Sequence, residues 1–201
     1  MSRDKPLGAH AVRDARKKDR RESASKGLLQ NEEAYDHLKR AITSLALRPG
    51  EYINTAQLMD SMAMGRTPIN HALHRLMSEG LIQIIPRKGV LVAPLSVDEA
   101  FELIEVRLAN ERLCARLAAE RAAQDELDTL ESLNTQYDRY AAQRDINGML
   151  TVDGQFHEVM ATAARNRPLA DILRVLHARA QRFWAVSLSS QQHASEVSGE
   201  H

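Results

Sequence analysis

The chain has 201 residues, 43% of them hydrophobic but only 4% aromatic, and a single cysteine, Cys114. That length allows one large domain or two small ones with a real core, and the dominance of Leu and Ala favours helices over a β-sandwich. A lone cysteine excludes an internal disulfide and suits a reducing cytosol, no apolar run approaches the ~18 residues of a membrane span, and the basic N-terminus lacks the apolar segment of a signal peptide. The formal charge is zero, yet residues 1–27 carry +5, 28–95 carry +1 and 96–201 carry −6. A basic front on an acidic rear is the distribution of a DNA-binding head on a body that does not bind DNA.

Residues 1–27 are almost free of apolar side chains and cluster Arg13, Arg16, Lys17, Lys18, Arg20 and Arg21. This composition predicts a disordered basic tail, either simply solvated or lying as an arm along phosphates. From Asn31 to Leu47, Tyr35, Leu38, Ile42 and Leu45 step by three and four, an amphipathic helix ended by Arg48-Pro49-Gly50. Thr55 opens a second helix through Leu58 and Met62, and Ala63-Met64-Gly65 makes a turn. In the third helix Thr67 is expected to cap the N-terminus, with Pro68 at the first helical position. Ile69, Ala72, Leu73, Leu76 and Met77 form its inward face, and Gly80 is the stop. Two short apolar runs, Leu81–Ile85 and Val90–Val92, are joined by Pro86-Arg87-Lys88-Gly89, which is hairpin chemistry with a basic tip.

A helix pair followed by a basic-tipped hairpin is the layout of a winged helix-turn-helix, here residues 28–95. Its third helix enters a major groove while the wing reaches backbone or minor groove. The outward face should carry Arg66, Thr67, Asn70, His71 and His74. Arg66 suits a guanine or phosphate, Thr67 a phosphate, and Asn70 an adenine. On the wing, Arg87 and Lys88 flank the tip and Gly89 permits close approach to DNA.

Residues 96–201 read as an antiparallel all-α bundle. Ser96 and Glu99 form a capping box before a long helix. In it, Phe101, Ile104, Leu108, Ala115 and Ala118 form one stripe that Leu103, Val106, Leu113 and Leu117 widen, which predicts burial on much of its girth. Arg107 and Glu111 lie four apart in this setting, either as an internal salt bridge or with Arg107 meeting a carboxylate ligand. A second helix starts at Gln124-Asp125, a third runs from about Asp145 to Ala164, and Asn166-Arg167-Pro168 breaks the chain before a fourth. The segment from Ser187 onward, rich in Ser and Gln, reads as a loop. In the third helix Asp153 and His157 sit one turn apart among Leu150 and Met160. Burying both without partners is costly, so either they hydrogen-bond each other or a divalent metal binds both.

The stretch GRTPINHALHRLMSEGLIQIIPRKGVLV resembles the recognition helix and wing of the GntR family of bacterial transcription regulators. The resemblance rests on the Arg-Thr-Pro start, the Ala-Leu-x-Arg-Leu core, the Glu-Gly-Leu corner and the Arg-x-Gly wing. VDGQFHEVMATAARNRPLADIL further resembles the FCD-type ligand-binding domain of its FadR subfamily. There an Asp and three His hold a metal that binds a small carboxylate effector. Asp153, His157 and, by the preceding Glu200, His201 match three of these ligands. The fourth should lie beyond His201, so the resemblance implies a chain shortened at its C-terminus, natively or as a fragment. Departures from the family pattern at Ala56, Gly65, Asn70 and His71 imply an operator unlike the family's common motif.

The expectation is a bacterial, cytoplasmic, nucleoid-associated regulator. It should pair as a homodimer on a palindromic double-stranded DNA operator, act as a repressor, and respond to a small organic acid through a Zn- or Ni-type ion. A shortened regulator that binds DNA without sensing anything is the alternative. A metal-dependent hydrolase using Glu158 or Glu200 as base lacks any His-Glu-x-x-His, nucleophile motif or phosphate loop.

Overall fold

The computed structural model describes residues 8–198, with side chains from residue 25 to residue 190. Seven helices and one small sheet follow in the order α1 (Gly8–Thr43), β1 (Tyr52–Ile53), α2 (Thr55–Met62), α3 (Arg66–Ser78), β2 (Ile82–Ile85), β3 (Gly89–Val92), α4 (Val97–Arg121), α5 (Gln124–Ala142), α6 (Ile146–Ala163) and α7 (Arg167–Ser198). The fold is mainly α, a winged helix-turn-helix followed by a helical domain.

Three elements differ from expectation at their ends. The helix read from Asn31 begins at Gly8, so the backbone of the stretch assigned to a disordered tail is helical from that residue. Between Gly8 and Gly27 the sequence holds no Gly or Pro and many Ala, Arg and Lys, all strong helix formers, so charge did not preclude a helix. The same helix stops at Thr43, where Leu45 turns to φ 65°. Likewise α7 continues to Ser198 through the Ser/Gln-rich segment read as a loop; Ser and Gln are tolerated in helices, and no Gly or Pro interrupts them.

In α3 the cap is not Thr67. The helix begins at Arg66 with Gly65 as N-cap, and no side chain caps it. Pro68 still lies in the first turn, where its missing N–H leaves no helical bond unmade. The C-terminus is a Schellman closure: Leu81 N–H reaches Leu76 C=O at 3.0 Å and Gly80 N–H reaches Met77 C=O at 3.0 Å, with Gly80 at φ +74°. A methyl added at Gly80 would meet only ordinary contacts with Arg179 at 3.7 Å. The Gly80→Ala cost is therefore backbone strain, and urea unfolding should show a loss of about 1 kcal/mol.

β3 is the central strand, flanked by β1 and β2, both antiparallel to it. The two-residue β1 was not read from sequence; it pairs Tyr52 with Leu91 and Ile53 with Val90. Pro86 and Arg87 make the wing turn, closed by Lys88 N–H to Ile85 C=O at 3.0 Å with Arg87 at φ 64°. Leu38, Ile42, Ile69, Leu76, Leu81 and Val92 are the centre of the head core. Met77, expected in it, is 41% exposed.

In the bundle, Leu103, Cys114, Leu117 and Ala118 of α4 are buried. A cluster of Cys114, Leu117, Ala163, Ala164, Leu169 and Leu173 ties α4 to α6 and α7. The wider burial expected of α4 is corrected: Val97, Phe101, Ile104 and Leu108 are exposed along one helical stripe. Periodicity locates an apolar face without saying what covers it. The helix-cap reading at Ser96 holds in half: Ser96 Oγ accepts from Glu99 N–H at 3.0 Å, while the Glu99 carboxylate turns to Arg179 at 2.5 Å.

Head and bundle are packed together by α7. Ala178 belongs to the head core. Arg182, 1% exposed, donates to the carbonyl of Ala93 just beyond the wing.

Candidate functional site

The outward face of α3 carries Arg66, Thr67, Asn70, His71 and His74, all exposed, while Pro68, Ile69, Ala72, Leu73 and Leu76 are buried beneath them. The wing exposes Arg87, Lys88 and Gly89. Every sequence-expected DNA contact is thus presented to solvent on a helix and hairpin held by one apolar core. None of Arg66, Arg87 and Lys88 makes an ion pair with a described residue, so their charge is available to phosphate or base edges.

The second site lies between α6 and α7. Asp153 and His157 share one face of α6, and α7 brings His177 against them. His157 Nε2 is 3.7 Å from Asp153 Oδ1, His177 Nε2 is 3.6 Å from Asp153 Oδ2, and the two imidazole centroids are 4.6 Å apart. These separations are too long for hydrogen bonds. Both ring nitrogens of His177 are buried with no hydrogen-bond partner. Burial, with smaller contributions from His157, Arg107 and Lys39, pushes its pKa down to about 3, so it is the neutral, ligand form of imidazole. Burial likewise raises the Asp153 carboxyl, against the charges of His157 and Arg107.

One donor atom from each of the three residues falls within 4.8 Å of the others. Donors on a tetrahedral ion at about 2.0–2.2 Å stand roughly 3.3–3.6 Å apart; the 3.7 and 3.6 Å separations are of that scale, on the two oxygens of Asp153. The sequence offers His177, with His193, only as a possible substitute for the missing ligand; its position one turn after the inward-facing Leu173 is the signal that recommends it. His201, expected as the third ligand, lies outside the described residues.

Arg107 donates through Nε at 2.9 Å, and through Nη2, to one oxygen of Glu111. It makes the internal salt bridge and does not line the adjacent cavity. That cavity holds about 470 Å³, the size of a small-molecule site. It opens beside His157 and His177, over Cys114, Met160, Ala161 and Leu173. Cys114 is buried, burial raises its thiol pKa, and its only hydrogen bond among the described residues is a weak one to Met160 C=O at 3.5 Å, so it is core rather than nucleophile.

Comparison with known proteins gives the family of both parts of the chain. Residues 30–92 match the family model described as bacterial regulatory proteins, gntR family, and residues 102–201 match the FCD domain. The chain belongs to the GntR family. Among similar proteins in the family, the Nta operon transcriptional regulator of Aminobacter aminovorans is 31% identical over 136 residues, covering 68% of this chain and 64% of that one. The transcriptional repressor RspR of Escherichia coli is 27% identical over 153 residues, covering 76% and 67%. The chain thus spans about two thirds of the length of these GntR relatives. The structure of E. coli McbR/YncC shares the fold, with a TM-score of 0.71 at 22% identity over 76% of this chain and 72% of that one. Among the described residues no helix is long and apolar enough to cross a membrane.

Proposed function

We propose that this GntR-family protein is a cytoplasmic, nucleoid-bound transcription repressor that binds a palindromic DNA operator as a homodimer and answers to a small carboxylate. The observation that carries this reading is the solvent face of α3, with Arg66, Thr67, Asn70, His71 and His74 beside the basic wing. Repression is suggested by RspR, whose name describes a repressor.

Pairing is supported by α4. Val97, Phe101, Ile104 and Leu108 are 48–71% exposed on one stripe, an apolar surface that a second copy would cover. Sensing is supported by the Asp153, His157 and His177 donor set, which would hold a Zn- or Ni-type ion. When bound, such an ion supplies a Lewis-acid anchor for a carboxylate oxygen. The role of these side chains would be to orient the ion: Asp153 stands 3.6 and 3.7 Å from the two imidazoles, and Arg107 and Glu111 set the surrounding charge.

A DNase footprint on DNA around the protein's own gene tests the reading. Protection of two inverted half-sites about one helical turn apart is the expected result. Arg66→Ala should weaken binding to that site about tenfold while leaving the fold intact, since Arg66 is exposed. Absence of protection by folded protein at modest salt overturns it.

A further inference from the structure

The cavity beside His157 and His177 is not enclosed by the bundle alone. Tyr35, Asp36, Lys39 and Arg40 of α1, and Arg75 of α3, line it as well. The DNA-binding head therefore contributes side chains to the space that the bundle's candidate ligands face.

The charges there are unequally satisfied. On the bundle side, Arg174 is held by Glu158 at 2.7 Å and Asp171 at 2.9 Å, and Glu111 is held by Arg107. On the head side, Arg75 pairs with Glu32 at 2.8 Å and approaches Glu79 at 3.6 Å. Lys39 must share that same Glu79 at 3.1 Å. Arg40 is exposed and makes no ion pair with a described residue. The wall of α1 thus holds an incompletely neutralised Lys39–Arg40 pair, with Asp36 the one carboxylate of α1 beside it. The lining also has an apolar part, from Met160, Ala161, Leu173 and Ala178.

We propose that this cavity takes a ligand with an apolar body and two anionic ends, of the dicarboxylate class, one end at His157 and His177 and the other on Lys39 and Arg40 of the DNA-binding head. The proposal deepens the effector reading above and rests on it for the histidine end. Its regulatory consequence follows from what Lys39 already holds. Lys39 Nζ donates to Tyr35 Oη at 2.7 Å and to Glu79, and Tyr35 donates to Glu79 at 2.6 Å. The Arg75 guanidinium lies 3.5 Å over the Tyr35 ring. Glu79 is the C-cap residue of α3. An anion arriving at Lys39 competes with Glu79 and loosens the tie between α1 and the recognition helix, inside the head itself. By linkage, operator DNA must change the ligand's affinity by the same factor.

The test is calorimetric titration of the full chain with α,ω-dicarboxylates from malonate to suberate, and with the monocarboxylates of matching length. At least one dicarboxylate should bind roughly tenfold or more tighter than its monocarboxylate partner. The K39M/R40Q double variant should lose that advantage and leave the monocarboxylate unchanged. Arg40→Gln alone, at an exposed position that keeps the Lys39–Glu79 contact, should lose about threefold.

Three results overturn the proposal: no dicarboxylate binds, both ligand classes bind equally, or neither variant discriminates between them. A parallel Zn²⁺ titration keeps the two readings apart. Zn²⁺ binding with no dependence of the dicarboxylate on Lys39 and Arg40 removes this inference and leaves the histidine centre standing. Dependence on Lys39 and Arg40 without Zn²⁺ affinity supports the head-side half and removes the metal reading.

Discussion

Replacing His177 with leucine should weaken binding of Zn²⁺ or Ni²⁺ by about a hundredfold or more, because three donors become two and the ion loses the ligand that α7 supplies. Competition against a chromophoric chelator reads this directly. The same variant should move stability in the opposite sense when metal is absent. The imidazole of His177 is buried with both nitrogens unbonded, so an apolar side chain of similar size removes an unsatisfied polar group. A gain of about 1 kcal/mol in urea unfolding with chelator present is expected. Added metal stabilises the parent by about 2.7 kcal/mol at one hundred times its Kd, and that stabilisation should vanish in the variant. Unchanged metal affinity would place the ion elsewhere and dissolve the Asp153–His157–His177 centre.

The second large effect is expected at the junction of head and bundle. Burial disfavours the charge on Arg182, Arg179 opposes it further, and Glu99 is the carboxylate that offsets both. Glu99 itself is held by Arg179 at 2.5 Å. Glu99→Gln keeps the shape and the helix start but leaves two guanidiniums facing each other. It should cost about 2 kcal/mol, less than a fully buried pair because Glu99 and Arg179 are partly exposed. The corresponding fall in Tm is about 5 °C. In an Arg182→Met background, where the buried charge is gone, the same change should cost less than about 1 kcal/mol. Equal costs in both backgrounds would show that Glu99 acts on something other than this pair of cations.

The recognition helix and wing were readable because their signals are local. Apolar positions at 69, 73 and 76, a Gly at 80 and a Pro-Arg-Lys-Gly turn each constrain the backbone within a few residues. The cap was misread because Thr67 is a good capping residue in principle, whereas Gly65 takes the position with no side chain at all. β1 escaped notice because two residues carry no periodicity, and its pairing with Leu91 and Val90 is a long-range event.

The ends of α1 and α7 were underestimated for one shared reason: polarity was taken for disorder where no helix breaker was present. On α4, Phe101, Ile104 and Leu108 gave a true stripe but a wrong inference of burial. Two of the three candidate donors were legible, since Asp153 and His157 are neighbours on one helix. His177 comes from another helix, and only the crossing of α6 and α7 gives it a distance to Asp153. Nor could any spacing show that Lys39 and Arg40 face that same cavity.

The place of Ala178 has a consequence for how this protein is made. Its side chain completes the core that Leu38, Leu76 and Val92 begin, and Arg182 then fastens the carbonyl of Ala93. A ribosome delivers the recognition helix long before it delivers α7. During synthesis the nascent head must therefore wait with part of its apolar surface uncovered, acquiring its final packing only after residue 182 has left the exit tunnel. A polypeptide terminated between wing and α7 would present a head complete in sequence but lacking the Ala178 contact in its packing.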